Sequence, residues 1–245
     1  MKVFLIELNS ILKNGVLRIN PSFFFGWSKP LLYITANFLS LSQWIRQQNK
    51  KKLKFNDFFV WKKDYGKREK LYEYVVTKHQ LDSIALDYLE FGVASGNSFK
   101  WWVNRLKNAN NHFFGFDTFE GLPENWGIFY KAGEMNSEIP GLNDERILFI
   151  KGLFQDTLPK FLQNNSIEKN RRKVIHMDAD LFSSTLFALT SLAPFLNKGD
   201  IFFFDEFNVP NHEFLAFKMF TESYYIKTEV LGAVNNFYQV AFIVV

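Results

Sequence analysis

The stretch Leu86-Asp87-Tyr88-Leu89-Glu90-Phe91-Gly92-Val93-Ala94-Ser95-Gly96-Asn97-Ser98 decides the fold of this chain. A mostly apolar run leads into two glycines, Gly92 and Gly96, and polar residues suited to begin a helix follow them. Rossmann-like sheets hold nucleotide-type ligands with this order of strand, glycine turn and helix. The stretch therefore predicts a strand, a ligand-binding turn and a helix.

The turn departs from the dinucleotide fingerprint. The residue two after Gly92 is Ala94 rather than glycine, which makes the close approach of a pyrophosphate harder. Glu90, just before the turn, would also repel a phosphate. A ligand with a cationic amino acid tail fits better, and S-adenosylmethionine (SAM) is the candidate. A nicotinamide-dependent oxidoreductase stays open as the alternative.

Composition narrows the class of protein. A length of 245 residues indicates one large domain, or one domain with an extension. The chain has no cysteine, which excludes disulfides and thiolate metal sites and fits a cytoplasmic protein. The net charge of +4 is mild, and its main cluster, Lys50 to Lys52 with Lys54, lies outside the glycine turn. We therefore expect no nucleic acid substrate.

Residues 1–64 match no motif, and we interpret them as a helical extension with an association or lid role, followed by a ligand-binding domain over residues 65–245. The uncharged stretch Pro30 to Ile45 is too short and too polar to predict a membrane span. We favour a helix that packs on the domain or on a second subunit, and we expect a homodimer. Trp44 and the lysines after it leave open peripheral membrane contact through residues 30–54.

Strand and helix patterns alternate from residue 67 onward, which predicts an α/β fold with a mostly parallel sheet and helices on both faces. The predicted strands are Leu86–Phe91, His112–Phe116, Ile147–Ile150, Lys173–Met177, Ile201–Phe204, Ile226–Leu231 and Phe237–Val244. The predicted helices are Lys67–Gln80, Ser98–Lys107, Asp156–Gln163, Ser184–Leu196 and Glu213–Ser223. The last two strands meet through Gly232 and Asn235-Asn236, so one of the seven strands is antiparallel. This Rossmann-like arrangement resembles class I methyltransferases.

Acidic residues follow several of these strands. Asp117 ends the second strand and lies where an acid could accept hydrogen bonds from both ribose hydroxyls. Asp178 and Asp180 follow the fourth strand, and Asp205 and Glu206 follow the fifth. Single acids at such positions are often helix caps or turn residues, as we expect for Asp156. Four carboxylates at one sheet edge repel each other unless a cation joins them, so we favour a magnesium site over a purely electrostatic cluster.

Four segments together resemble the macrocin O-methyltransferase family, whose members methylate sugar hydroxyls of glycosylated natural products with SAM and usually magnesium. They are 89–93, 115–123, 152–159 and 176–185. The resemblance covers roughly residues 65–245 and implies three metal ligands: Asp178, Asp205 and Glu206. It implies that SAM is bound by residues from the strand ends: Glu90, Gly92, Gly96, Ser98 (methionine carboxylate), Asp117 (ribose), Thr118, Phe154 (stacking on adenine), Gln155 (adenine edge) and Asp178.

Two departures from that resemblance concern the reacting groups. The family's usual pair after the fifth strand is Asp-Asp, whereas this chain has Asp205-Glu206. The related catechol-type enzymes place a lysine base at the position of Leu181. The predicted proton acceptor is therefore Asp178, Asp180, His176 or a group bound to the metal.

Together these patterns predict SAM-dependent O-methylation of a sugar or glycosylated metabolite, with two vicinal hydroxyls bound to the metal. The insertion from Glu120 to Arg146, with Trp126, Phe129 and Tyr130, is expected to close over the acceptor. A non-catalytic protein on a methyltransferase fold is a further alternative, and the retained acids count against it.

Overall fold

The computed structural model describes residues 1–48, 50–53, 55, 59–127, 129–164, 167 and 170–245. Seven strands form one sheet: β1 (Leu86–Phe91), β2 (His112–Asp117), β3 (Ile147–Lys151), β4 (Arg172–Met177), β5 (Ile201–Phe204), β6 (Thr228–Val234) and β7 (Gln239–Val244). Their order is β3-β2-β1-β4-β5-β7-β6, and β7 runs antiparallel to both of its neighbours. The predicted Rossmann-like fold is confirmed.

The described helices before and between the strands are α1 (Lys2–Ile19), α2 (Ser22–Phe25), α3 (Lys29–Gln47), α4 (Gly66–His79), α5 (Asn97–Arg105), α6 (Phe154–Asn164), α7 (Phe182–Leu192) and α8 (Glu213–Tyr224). The five predicted helices correspond to α4 through α8, each shifted at its ends by a few residues. Helix α6 begins at Phe154, so Asp156 lies in its first turn and is not the cap that the sequence predicts.

The closing hairpin differs from its prediction in one respect. Strand β6 continues through Gly232 to Val234, and a register shift between Val230 and Gly232 accommodates the irregularity. A Cβ at Gly232 would lie 2.7 Å from the Leu71 side chain, so close packing against α4 is what requires glycine there. The turn itself is formed by residues 235–238.

Alternate side chains of the central strands point to opposite faces of the sheet. Leu89, Phe91, Phe202 and Phe204 enter one core with α6, α7 and α8, whereas their sequence neighbours in β1 and β5 enter a second core with α4 and α5. The period-2 geometry of a strand explains this division. Both faces are covered, which leaves the carboxyl ends of the parallel strands as the place for a site.

The N-terminal helices divide into a packed part and an unpacked part. No residue of α1 is buried, whereas Leu41 of α3 lies in the first core. The Trp44 ring contacts four phenylalanine rings of the domain: Phe207, Phe214, Phe237 and Phe242. The predicted packing of this stretch on the domain therefore holds for the second half of α3. None of the described helices is both long and apolar enough to cross a bilayer.

Candidate active site

A cleft of about 550 Å³ opens at the carboxyl ends of the parallel strands. Nine of the predicted site residues line it: Gly92, Asp117, Thr118, Phe154, Gln155, Asp178, Asp180, Asp205 and Glu206. This volume lies within the usual range for a small-molecule site. Each of the five parallel strands ends at or just before a residue that lines the cleft, as the fold predicts.

Gly92 forms the cleft floor where β1 meets the turn. Its φ is +91°, and a Cβ there would lie 1.9 Å from the Asp178 carbonyl oxygen. A side chain would therefore clash with the backbone of the segment after β4, in addition to the strain of a positive φ. Gly96 has φ +77° and packs against Pro140, and it is not among the residues that line the cleft.

Asp117 joins the ends of β1 and β2. Its Oδ2 accepts a hydrogen bond of 2.8 Å from the Ala94 N–H, and its Oδ1 accepts one of 2.7 Å from the Phe119 N–H. Each carboxylate oxygen keeps a second lone pair that can face a ligand. The backbone therefore holds this carboxylate in one orientation at the cleft wall.

The segment after β3 supplies the other wall of this half. Gln155 is exposed to the cleft, whereas Phe154 is largely buried and its ring packs edge-on against Phe91. Leu153, which the sequence analysis missed, is 39% exposed beside them. An apolar side chain next to an amide suits a flat heterocycle with hydrogen-bonding edges.

The acids after β4 and β5 form the second half of the cleft. Ligand atoms of Asp178, Asp205 and His176 lie within 4.8 Å of one another. The Arg68 guanidinium of α4 donates to Asp205 Oδ2 at 3.1 Å. Burial would lower the pKa of Arg68, but Tyr72, Asp205 and Asp178 outweigh it and raise that pKa. The cluster thus already contains one cation.

Glu206 and Asp180 lie beside that group. Glu206 accepts a hydrogen bond from the Tyr238 hydroxyl, and its backbone N–H donates to Glu213 Oε2 at 3.0 Å. Burial, with the hydrogen bond and charge of Glu206, raises the pKa of Asp180 to about 11. Burial and the carboxylates of Asp205 and Glu206 also raise the pKa of Asp178. Without an added cation, Asp180 therefore holds its proton at neutral pH.

Two buried acceptors of the cluster are left over. When all the acids are ionised, Asp205 Oδ1 and Glu206 Oε2 have no hydrogen-bond partner among the described residues, whereas protonated Asp180 can donate to Glu206. An unpaired buried acceptor costs free energy, and carboxylate oxygens are the ligands that a hard divalent cation takes. Asp178 and Asp205 therefore suit the predicted magnesium, whereas Glu206 is not in the group of ligand atoms that lie within 4.8 Å of one another.

Four predicted site residues lie away from the lining of the cleft. Ser98 donates to Glu90 Oε1 at 2.6 Å, and both side chains are buried below the turn. His176 is buried between two tyrosines, with Nδ1 2.9 Å from the Tyr88 hydroxyl and Nε2 3.2 Å from the Tyr72 hydroxyl. Glu90, Ser98 and His176 therefore support the floor of the site from beneath, while Gly96 begins α5.

Residues that the sequence analysis did not predict complete the cleft, among them Lys63, Tyr65 and Tyr238. The Lys63 ammonium lies 3.1 Å from the centre of the Tyr238 ring. Burial lowers the pKa of Lys63, and Glu206 and Asp205 oppose that effect. Residues 61–65 carry no motif, so only the tertiary structure reveals their place.

The hairpin turn positions this segment. Asn236 Oδ1 accepts from the N–H groups of Phe59 and Val60, at 2.7 Å each. Asn235 Oδ1 accepts from the Asp64 N–H at 3.0 Å. The two asparagines thus clamp residues 59–64 against the cleft, which a turn signal in the sequence does not indicate.

The insertion after β2 also borders the cleft. Trp126 and Tyr130 stack with ring centres 5.1 Å apart, and both line the cleft. Phe129 is 82% exposed at the tip of the same turn. Closure of this segment over an acceptor stays a prediction.

The comparisons with known proteins agree with this geometry. A family profile described as "Methyltransferase domain" matches residues 89–207. A curated relative from Streptomyces olivaceus, "8-demethyl-8-(2,3-dimethoxy-alpha-L-rhamnosyl)-tetracenomycin-C 4'-O-methyltransferase", is 28% identical over 159 residues, which are 56% of this chain and 59% of the relative. The match thus spans less than two thirds of that protein.

Solved structures show the same fold. CalS11, a calicheamicin methyltransferase, superposes with a TM-score of 0.57 at 18% identity, over 85% of this chain and 91% of that chain. The O-methyltransferase NovP gives 0.54 at 20% identity, over 71% and 79%. Residues 89–207 therefore match a methyltransferase domain in sequence, and the sheet has the fold of these solved methyltransferases. The predicted resemblance to sugar O-methyltransferases is confirmed.

Proposed function

We propose that this chain transfers a methyl group from SAM to a hydroxyl of a sugar or a glycosylated small molecule. The observation that carries the proposal is the meeting of two halves in one cleft, with Asp117 and Gln155 on one side and Asp178 and Asp205 on the other. The name of the 28% identical relative describes methylation on a rhamnosyl group, which supports a sugar hydroxyl as acceptor.

The first half would hold SAM, which supplies a methyl group activated by its sulfonium. Asp117 would accept the ribose hydroxyls, because backbone N–H groups already fix its orientation. Gln155 would meet the adenine edge, with Phe154 and Leu153 beside it. The Ser98 hydroxyl donates its hydrogen bond to Glu90, so Ser98 would support the turn and would not contact SAM.

The second half would bind the acceptor. Asp178, Asp205 and Glu206 would hold magnesium, which lowers the pKa of hydroxyls bound to it. His176 lies close enough to be a further ligand, but only if one of its ring nitrogens leaves its tyrosine partner. The unpartnered oxygens of Asp205 and Glu206 support this set. Arg68 and Lys63 are the alternative cations, if the cleft works without metal.

Proton removal from the acceptor needs a basic group that reaches the cleft. The raised pKa of Asp180 leaves its carboxyl protonated at neutral pH until a cation binds nearby. Lys63 also lines the cleft, and burial lowers the pKa of its ammonium. We therefore add Lys63 to the predicted bases Asp178 and Asp180, whereas His176 is buried and paired on both nitrogens.

The test combines ligand binding with a transfer assay. SAM and its demethylated product should raise the melting temperature, whereas NAD should not. Deuterated-methyl SAM should label an acceptor in a panel of nucleotide sugars and glycosides, and mass spectrometry would locate the label. Stabilisation by NAD alone would favour the oxidoreductase. Labelling of simple catechols but of no sugar would leave the methyltransferase and overturn the acceptor class.

A further inference from the structure

The exposed apolar surface of this chain is concentrated at one end. Of the 34 large apolar side chains that are exposed among the described residues, 21 lie within residues 1–39. We call residues 1–40 the N-terminal arm. Monomeric soluble proteins rarely expose a contiguous apolar surface of this kind without a partner for it.

Helix α1 of the arm is amphipathic. At 100° per residue, seven apolar residues fall within an arc of about 140°: Phe4, Leu5, Leu8, Ile11, Leu12, Val16 and Ile19. Lys2, Lys13 and Asn14 lie outside this arc, as do the apolar residues Val3, Ile6 and Leu17. Every residue of α1 is exposed, so the apolar face is not buried against any other described part of the chain.

The connection between α1 and α3 is aromatic. Phe23, Phe24, Phe25 and Trp27 follow one another and are 82%, 57%, 64% and 81% exposed. Aromatic side chains at the end of an amphipathic helix are typical of segments that sit at the boundary between lipid headgroups and acyl chains.

Charge distinguishes this end of the chain from the rest. Residues 1–53 hold eight Lys or Arg and one acid, Glu7, whereas residues 54–245 hold 21 Lys or Arg and 24 acids. In a dimer formed through this end of the chain, the cations of one copy would face the same cations of the other. Each copy would contribute only one acid to offset the repulsion. An anionic surface complements this charge, and each Lys or Arg near such a surface adds affinity.

From the charge and the apolar face together, we infer that the N-terminal arm docks onto an anionic lipid bilayer, with α1 lying in the interface. The part of α3 that directly follows the arm is fixed beside the cleft, because the Trp44 ring packs on Phe207 and Phe237. These are the neighbours in sequence of the cleft residues Glu206 and Tyr238. The docked arm would hold the cleft close to the bilayer surface.

Flotation of the full chain with vesicles tests this docking. The protein should float with mixed phosphatidylglycerol and phosphatidylcholine vesicles, at least about tenfold more tightly than with phosphatidylcholine alone, and salt at about 1 M should reduce the binding. Lys13→Gln and Arg18→Gln should each weaken binding about fivefold.

A matched pair of variants separates insertion from charge. Leu12→Asp places a carboxylate on the apolar arc and should abolish flotation, whereas Asn14→Asp adds the same charge outside the arc and should weaken it only about fivefold. Equal effects of the two variants, or equal binding to both vesicle types, would overturn the inference. So would a stable dimer without lipid that ignores vesicles and that Leu12→Asp dissociates, as seen by analytical ultracentrifugation. Unchanged melting temperatures would show that both variants fold.

Discussion

Two regions of this chain depart from the usual placement of apolar and charged groups, and they do so in opposite directions. The N-terminal arm exposes rings such as Phe23 and Trp27, each more than 80% accessible. The acid cluster consists of Asp178, Asp180, Asp205 and Glu206. It buries acidic side chains, and those of Asp205 and Glu206 belong to residues that are only 4% and 8% accessible. Each arrangement is unfavourable in the isolated chain, which is typical of surfaces built for a partner.

The two regions differ in the kind of partner that relieves the cost. Any apolar phase can cover exposed apolar surface, so the N-terminal arm does not need a partner of defined geometry. Buried carboxylates require a cation at defined positions, because their ligand atoms are held within a few ångströms by β4 and β5. The arm should therefore tolerate exchange of one apolar side chain for another, whereas the cluster should not tolerate exchange of its acids.

The largest expected effect is loss of methyl transfer when the cluster lacks its cation. Chelation should reduce turnover at least about a hundredfold, because a bound metal contributes several kcal/mol of charge stabilisation, and magnesium should restore it. SAM affinity should stay unchanged. Asp205→Asn should act like the chelator, whereas Asp82→Asn, at an acid on the far surface, should not.

If protein shown to be free of metal transferred methyl groups at an undiminished rate in excess chelator, the acid cluster would not depend on magnesium. Arg68, which bonds Asp205 at 3.1 Å, and Lys63 would then be the cations of the cluster. In that case the acid cluster would need no external partner.

Two tryptophan substitutions test where the N-terminal arm ends and the folded domain begins. Trp44→Ala should lower the free energy of unfolding by about 3 kcal/mol, because its ring packs on four phenylalanines. Trp27→Ala removes an exposed ring and should change stability by less than about 0.5 kcal/mol. Chemical denaturation measures both. Equal losses would mean that the arm is part of the folded domain.

Periodicity and turn chemistry predict the sheet and its flanking helices well. Strands β1, β4 and β5 are apolar runs, and the residue after each of them lines the cleft, so their order in the chain is enough to predict Gly92, Asp178 and Asp205 as site residues. The ends of elements are less well predicted, because packing decides them. Gly232 reads as a turn residue but continues β6, since Leu71 leaves no room for a side chain.

Residues brought in by tertiary structure could not be predicted in the same way. Lys63 reaches the cleft because Asn235 and Asn236 bind the backbone of residues 59–64, a contact across more than 170 residues of sequence. Arg68 lies on a helix whose pattern indicates only packing. Conversely, Ser98 has the expected position in the chain, but its hydroxyl is committed to Glu90.

Asp117→Ala tests whether the cofactor half is independent of the acid cluster. Loss of hydrogen bonds to a charged group costs about 1.5–3 kcal/mol, so SAM affinity should fall roughly ten- to a hundredfold. Titration calorimetry measures it. Glu120→Gln, at an exposed neighbour outside the lining of the cleft, is the control and should bind SAM normally. Unchanged affinity in Asp117→Ala would remove this carboxylate from the site.

The last expected effect concerns how the free energy of unfolding depends on pH. The pKa of Asp180 is about 11 in the folded chain, against an ordinary value of 3.8. Above pH of about 4 the unfolded chain has therefore lost a proton that the folded chain keeps, and stability falls as pH rises through this window. The melting temperature of metal-free protein should decline from about pH 5 to 9, and less steeply in Asp180→Asn. Magnesium should also flatten the decline, because a cation favours the charged carboxylate.

Asp144→Asn is the matched control for this slope. Its hydrogen bond to Arg146 lowers the pKa of Asp144 to about 2, so the sign is reversed and the contribution of this carboxylate is lost only as pH falls below about 4. The substitution should leave the slope between pH 5 and 9 unchanged. If Asp180→Asn gave the same slope as the unmodified chain, Asp180 would be charged in the folded state, and the cluster would already be balanced by Arg68 and Lys63. The acid cluster would then differ from the N-terminal arm only in its defined geometry, because it would not lack a cation.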